Sequence, residues 1–423
     1  MRFRQGMTVL SAAVAVAVAV PAAASAGSLW VAHAPTVKGP GKSCTSPGYD
    51  TIQAAITADT AGAKIEVCTG TYVEQLQITK ALSIVAAGSV TVQLPATPSL
   101  STTACDTATG EPDEDVVSIC GAATVTLTGL TIEGHWPSGK CSDSLYGILV
   151  AGEADLKLTD STIAGAGADP INGCQGGVGI QIGMAWTKPV EVGTATLSND
   201  TVSGYQKNGI TVDGAGSKAT ITSTTVTGTG ETPTIAQNGI QVSNGAQAKI
   251  TESTISANEY NPGYEATGVL FYGAAAGSTV TKSIIDDNDF GVYYLDGSPA
   301  APTSSQLAIS SNKLTGDRYA SVGLDQGWAT VNNNELESGK VGILVFQYEE
   351  QQYGPKGTGS GDTIKGMSEW AVQGSSDESS TDHPGSFSIA KSAISGNPFG
   401  ASVSNSVTSN SKSLSITTAS SDT

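Results

Sequence analysis

Residues 250–292 decide the fold. They read Ile250-Thr251-Glu252-Ser253-Thr254-Ile255, then Gly268-Val269, then Val280-Thr281-Lys282-Ser283-Ile284-Ile285, then Gly291-Val292. Two apolar residues stand five apart with a small polar residue between them. A glycine-led apolar strand follows, and the pattern restarts. Outward from this stretch the same pairs recur as Leu127/Ile132, Leu158/Ile163, Leu197/Val202, Ile221/Val226, Ile309/Leu314, Val331/Leu336 and Ile389/Ile394. The polar residue between them is Ser161, Asp200, Thr224, Ser253, Ser283, Asn312 or Asn334. Third strands open at Gly147, Gly179, Gly209, Gly239, Gly268, Gly291 and Gly342. The second apolar column repeats every 22 to 39 residues from Ile132 to Ile394. Three short strands per repeat, each with alternate apolar residues, describe a parallel β-solenoid. A propeller needs four strands and about 40–45 residues per blade, so the period excludes it. Stacked Ser and Asn side chains at the bend are expected to hydrogen-bond along the solenoid axis.

Composition agrees. Of 423 residues only 14% are charged and 5% aromatic, while 51 are Gly. Such a chain suits many short strands and turns, not a helical bundle. The formal charge of −18 repels phosphate, so neither nucleic acid nor an anionic membrane surface is an expected partner.

The first 26 residues read as a signal peptide. Arg2 and Arg4 precede an apolar run from Val9 to Val20, and Ala24-Ser25-Ala26 forms a cleavage site. That run is short for a membrane span. The mature chain is therefore expected to be secreted and extracellular, without membrane insertion. Cys44, Cys68, Cys105, Cys120, Cys141 and Cys174 fit export, since an even count in an oxidising compartment reads as disulfides. Sequential pairing is preferred among 15 connectivities: Cys44–Cys68, Cys105–Cys120 and Cys141–Cys174. A metal site is disfavoured, because no Cys-x-x-Cys or Cys/His cluster exists.

A solenoid's open end needs a lid. Asp50-Thr51-Ile52-Gln53-Ala54-Ala55-Ile56 supplies one, a short helix with Ile52, Ala55 and Ile56 on one face and Asp50 or Thr51 as N-cap. Ile65-Glu66-Val67, Gly70-Thr71-Tyr72 with Glu74, Ile78 and Leu82-Ser83-Ile84 follow. This order, with the repeats after it, resembles the right-handed parallel β-helix superfamily, the pectin-lyase-like fold. The resemblance implies an all-β, single-stranded right-handed parallel β-helix of about ten to twelve rungs with an N-terminal capping helix. The boundaries read are 1–26 signal peptide, 27–48 N-terminal arm, 49–403 β-helix and 404–423 Ser/Thr-rich tail, disordered or a loose cap. That superfamily mixes lyases, hydrolases, epimerases and non-catalytic proteins, so it fixes no activity.

In related β-helices the active site usually lies on the outer face of the glycine-led strand and on its flanking turns. Long turns precede that strand in early rungs, and inserts at 297–305, 349–361 and 375–386 follow it later. Together they predict an open groove centred on 260–370. Thirteen of the 23 aromatic residues fall there, and aromatic faces suit sugar rings. Tyr293, Tyr319 and Trp328 are candidate stacking residues; core or turn packing is the alternative.

Asp286-Asp287-Asn288-Asp289 is the densest carboxylate turn, where the resemblance to polygalacturonases would place paired aspartates. Rungs stack about 4.8 Å apart, so carboxylates one or two rungs apart approach glycosidase geometry. Asp287 and Asp289 are the candidate acid and base, with Glu265 as partner carboxylate. Arg318, the only Arg beyond residue 26, and Lys340 are candidate substrate contacts; Asp325 and Glu349 would reach from the other wall. An ordinary salt bridge is the competing account of Arg318, and a polar turn that of the Asp cluster. No cofactor is called for; calcium is possible, since Asp-rich turns supply oxygen ligands, but EF-hand spacing is absent. His33, His135 and His383 form no triad with a Ser or Cys. The Asn-Thr-Asp, Gly-His-Gly and Arg-Ile-Lys elements of polygalacturonases are missing, as are the several arginines of pectate lyases and the Asp-Pro-His of alginate epimerases.

The expected function is a secreted carbohydrate-active protein that cleaves an extracellular polysaccharide, as hydrolase or lyase, by carboxylate acid/base chemistry. The competing expectation is a non-catalytic glycan-binding or surface protein. An ice- or mineral-binding face would need a regular Thr ladder. The outward series Leu149, Gln181, Thr211, Gln241, Leu270 and Tyr293 argues against one.

Overall fold

In a computed structural model, residues 27–60, 62–98, 113–135, 141, 144–296, 301–347, 353–376, 386–405 and 415–418 are described. Among them the strands wind as a parallel β-helix with one seven-residue helix, Ile52–Ala58. The paired columns of the sequence form a 23-stranded parallel sheet that covers two faces of the solenoid. The glycine-led strands, from Leu76–Ile78 to Phe399–Asn405, form a twelve-stranded parallel sheet on the third.

Register explains the columns. Ile180, Ile210, Ile240, Val269, Val292, Val322 and Ile343 stack rung on rung with no solvent exposure. Each such side chain contributes about 1.5–3 kcal/mol by burial. Several of the glycines before them sit where the next rung approaches closely. A Cβ on Gly209 would lie 2.6 Å from the Gly239 carbonyl oxygen, and one on Gly239 2.6 Å from that of Gly268. Ser321 and Ala371 hold this position in two later rungs.

The bend between paired strands has a fixed form. Ser223, Glu252, Lys282, Ser311 and Asn333 adopt positive φ of 51–59°, a left-handed turn that redirects the chain. The next residue points inward and joins a ladder. Backbone N–H groups of Ser253, Ser283, Asn312, Asn334 and Asp362 donate to Ser283, Asn312, Asn334, Asp362 and Ser392 at 2.8–3.2 Å. Each bond contributes about 1 kcal/mol, and removing a member orphans its neighbour.

The lid is as the sequence predicts. Ile52, Ala55 and Ile56 are buried, and the Thr51 side chain accepts from the Ala54 N–H. Glu74 adds a second cap, accepting from the N–H of Ile52 at 2.8 Å and of Gln53 at 2.9 Å. Two boundaries are corrected. Leu29–Val31, assigned to the arm, pairs with Lys64–Val73 as the edge strand, because its apolar side chains continue the core. In the tail, Ser415–Thr418 pairs with Ser386–Ala390. Cys44–Cys68 and Cys141–Cys174 are disulfides. Cys120 is disulfide-bonded too, while Cys105 lies outside the described residues, as does segment 1–26. No helix among the described residues is long and apolar enough to cross a membrane.

Candidate functional site

The outer face of the twelve-stranded sheet carries a groove of about 540 Å³. Its floor comes from alternation: Val269 and Val292 point inward, so Leu270 and its register partner Tyr293 point outward. Thr267, Tyr272, Phe290 and Leu295 extend this surface. One wall is the loop Gly263-Tyr264-Glu265, and Tyr319 and Phe346 close the side.

The aromatic wall is ordered by its own contacts. Tyr264 stacks on Tyr319 at 5.1 Å between centroids and 20° between planes. The Phe290 edge meets Tyr319 at 5.1 Å and Tyr293 at 4.9 Å. Phe290 and Phe346 are buried anchors, whereas Tyr264 is 41% and Tyr272 51% exposed. The result is a packed aromatic platform in which Tyr264 and Tyr272 keep exposed surface.

Asp289 builds the loop that carries Tyr264 and Glu265. Its Oδ2 accepts from the N–H of Tyr260 at 2.9 Å and of Ala266 at 3.1 Å, tying both ends of the loop to the next rung. Asp289 has no solvent exposure. Burial pushes its carboxyl up to about 6, against the two N–H donors and Arg318, which pull it down, while Glu259 adds a smaller push upward.

Arg318 behaves as the salt-bridge alternative predicts. Its Nη1 lies 3.0 Å from Glu231 and 3.4 Å from Glu259, its Nε lies 3.5 Å from Asp289, and its guanidinium covers the Tyr264 ring at 5.3 Å. Lys340 lies 3.6 Å from Glu369, and its ammonium is 5.2 Å and 5.8 Å from the Tyr319 and Tyr264 ring centres. Both cations brace the platform from beside it.

The Asp286–Asp289 turn is taken apart by the fold. Asn288 points into the core and accepts from the Asn258 backbone N–H at 3.2 Å and its amide at 2.9 Å. Its own amide lies 3.4 Å from Asp317, whose carboxyl is held well above the usual range, chiefly by burial. Asp286 accepts from the Thr315 hydroxyl. Asp287 has φ 52° and is exposed beside Gly316, outside the groove lining. Partial desolvation of its carboxyl by the surrounding turn and the charge of the neighbouring Asp286 raise its pKa, though the side chain is largely solvent-facing. It thus occupies the second bend of its rung, where other rungs use Gly204, Gly316, Gly366 and Gly396, and Asp tolerates that conformation. The expected pairing of Asp287 with Asp289 in the groove does not form, because positive φ at Asp287 breaks the alternation.

Of the other candidates, Glu265 lines the groove and is exposed. The Tyr293 hydroxyl donates to Asp325, which is nearly buried. Trp328 lies in the 23-stranded sheet under the Lys356 ammonium, 3.8 Å from its ring centre, so it is not part of this groove. Glu349 and His383 lie outside the described residues. Sequence reasoning missed Phe290 as a platform residue, and its flanking register with Val292 was the available signal; Tyr264, Tyr272 and Phe346 belong to the aromatic-rich stretch it singled out. Among the described residues no three His, Cys, Asp or Glu side chains are grouped to hold a metal ion.

A family model described as a right-handed beta helix region matches residues 178–352. The A-module of a mannuronan C-5 epimerase from Azotobacter vinelandii superposes with a TM-score of 0.51 at 12% identity, covering 84% of this chain and 94% of that module. A periplasmic alginate epimerase gives 0.50 at 11% identity, over 88% of this chain and 84% of the other. The catalytic domain of a GH87 alpha-1,3-glucanase, solved with tetrasaccharides, gives 0.55 at 13% identity, over 92% and 68%. At such identities the likeness is one of fold. A search of curated protein sequences finds no match.

Proposed function

We propose, from the premise that this chain has the right-handed parallel β-helix fold of the pectin-lyase-like superfamily, that it is a carbohydrate-active protein holding a polysaccharide in this groove. The Tyr264–Tyr319 stack carries the proposal: a braced, partly exposed aromatic cluster beside an open, strand-lined floor suits the apolar surface of a pyranose ring. Solved proteins of like fold named as alginate epimerases and an alpha-1,3-glucanase support a polysaccharide ligand. The protein works outside the cytoplasm; the Cys44–Cys68 and Cys141–Cys174 bonds, which persist in oxidising compartments, support this. The test is binding on a glycan array by wild type and by Tyr264→Ala. Retained binding by wild type and its loss in the variant is the expected result.

A second reading, cleavage, is favoured by one observation: Glu265 lines the groove with an exposed carboxylate. In that reading Glu265 donates a proton to the glycosidic oxygen as the C–O bond breaks, water adds to the anomeric carbon and its released proton restores Glu265, and Asp289 positions the loop. Product detection by mass spectrometry with wild type, absent with Glu265→Gln, is the expected outcome. Binding without product in wild type leaves the protein a non-catalytic glycan binder.

A further inference from the structure

Resting on the glycan-binding reading, we infer that the groove selects a neutral polysaccharide and rejects uronic-acid polymers. The argument is the distribution of charge around the platform. Among the described groove residues no Lys or Arg contributes to the lining, which is aromatic, aliphatic and hydroxyl apart from one carboxylate, Glu265.

The two nearby cations are already occupied. Arg318 is shared among Glu231, Glu259 and Asp289, and Lys340 is engaged by Glu369 and two tyrosine rings. Drawing either toward a uronate would strip a carboxylate of its partner, and for Asp289 that carboxylate is fully buried. Breaking a buried pair costs more than a surface ion pair returns. Carboxylates outnumber cations around the platform even so. A uronan adds one negative charge per sugar to this field, and the whole chain carries −18.

Neutral rings meet none of these penalties. Their C–H faces stack on Tyr264 and Tyr272. Their hydroxyls find an acceptor at the exposed Glu265 carboxylate.

The experiment is isothermal titration with hexamers of defined chemistry. Neutral gluco-, manno- and galacto-hexaoses are compared with hexamers of galacturonate and mannuronate, in chelator and in calcium. Wild type is expected to bind at least one neutral hexamer about tenfold or more tighter than either uronate hexamer, with a gap that shrinks as salt rises. Glu265→Lys is expected to narrow that gap. A uronate hexamer bound as tightly as the best neutral one, in either buffer, overturns this inference and leaves the glycan-binding reading standing. No binding of any hexamer overturns both.

Discussion

Arg318 Nε lies 3.5 Å from Oδ1 of Asp289, a carboxylate sealed from solvent whose Oδ2 holds both ends of the Tyr260–Ala266 loop. The pair therefore links the platform's bracing cation to the loop that presents Tyr264 and Glu265. Its role is positioning. Asp289→Ala leaves two N–H donors unmet, at about 1–3 kcal/mol each. Hydrogen exchange at the Tyr260 and Ala266 amides is expected to accelerate while the Ser253–Asp362 ladder stays protected. Unchanged exchange at both amides contradicts the positioning role.

Acidification is expected to stabilise the protein before it harms it. Burial raises Asp200, Asp289 and Asp362 to about 6, and holds Asp317 well above the usual carboxylate range too. The folded state thus holds protons that the unfolded chain releases near 3.8. Linkage then makes stability fall as pH rises from about 4 through 6. The thermal midpoint should be higher at pH 5 than at pH 7. Asp362→Asn keeps the acceptor used by Asn334 and removes a buried charge. It should raise stability at pH 7 by the order of 1–3 kcal/mol and flatten the pH profile. A lower midpoint for this variant at pH 7 is the contrary result.

The glycine column makes a sharper stability prediction. Gly209→Ala places a methyl 2.6 Å from a carbonyl oxygen and 2.5 Å from Val226. It is expected to cost about 2–3 kcal/mol through overpacking. Gly173→Ala, whose nearest neighbour is 3.8 Å away, should change stability by less than about 0.5 kcal/mol. Comparable midpoints for the two variants would contradict the rung-stacking account.

The rungs were legible because inward apolar residues and the Ser/Asn ladder repeat at constant spacing. A strand's period of two fixes which side chain points where. The bends obey no such period. Asp287 and Asn288 straddle a left-handed residue, so alternation carried through them put a turn carboxylate in the groove and missed the inward Asn258–Asn288–Asp317 ladder. Loop inserts hide relationships too. Glu231 and Glu259 reach Arg318 across 87 and 59 residues of sequence, through stacked turns whose geometry no local pattern encodes. The aromatic enrichment over 260–370 coincides with the groove because its lining aromatics come from four adjacent rungs.

The central claim is that the stacked tyrosines hold a glycan. Titration of a groove-binding oligosaccharide into wild type and a Tyr264→Ala, Tyr319→Ala double variant tests it most directly. Tyr264 is 41% exposed and Tyr319 half-buried, both outside the solenoid's interior core, so the fold should survive, which the thermal midpoint checks. The account predicts a loss of about tenfold or more in affinity at a similar midpoint. Full affinity in a folded double variant would contradict it.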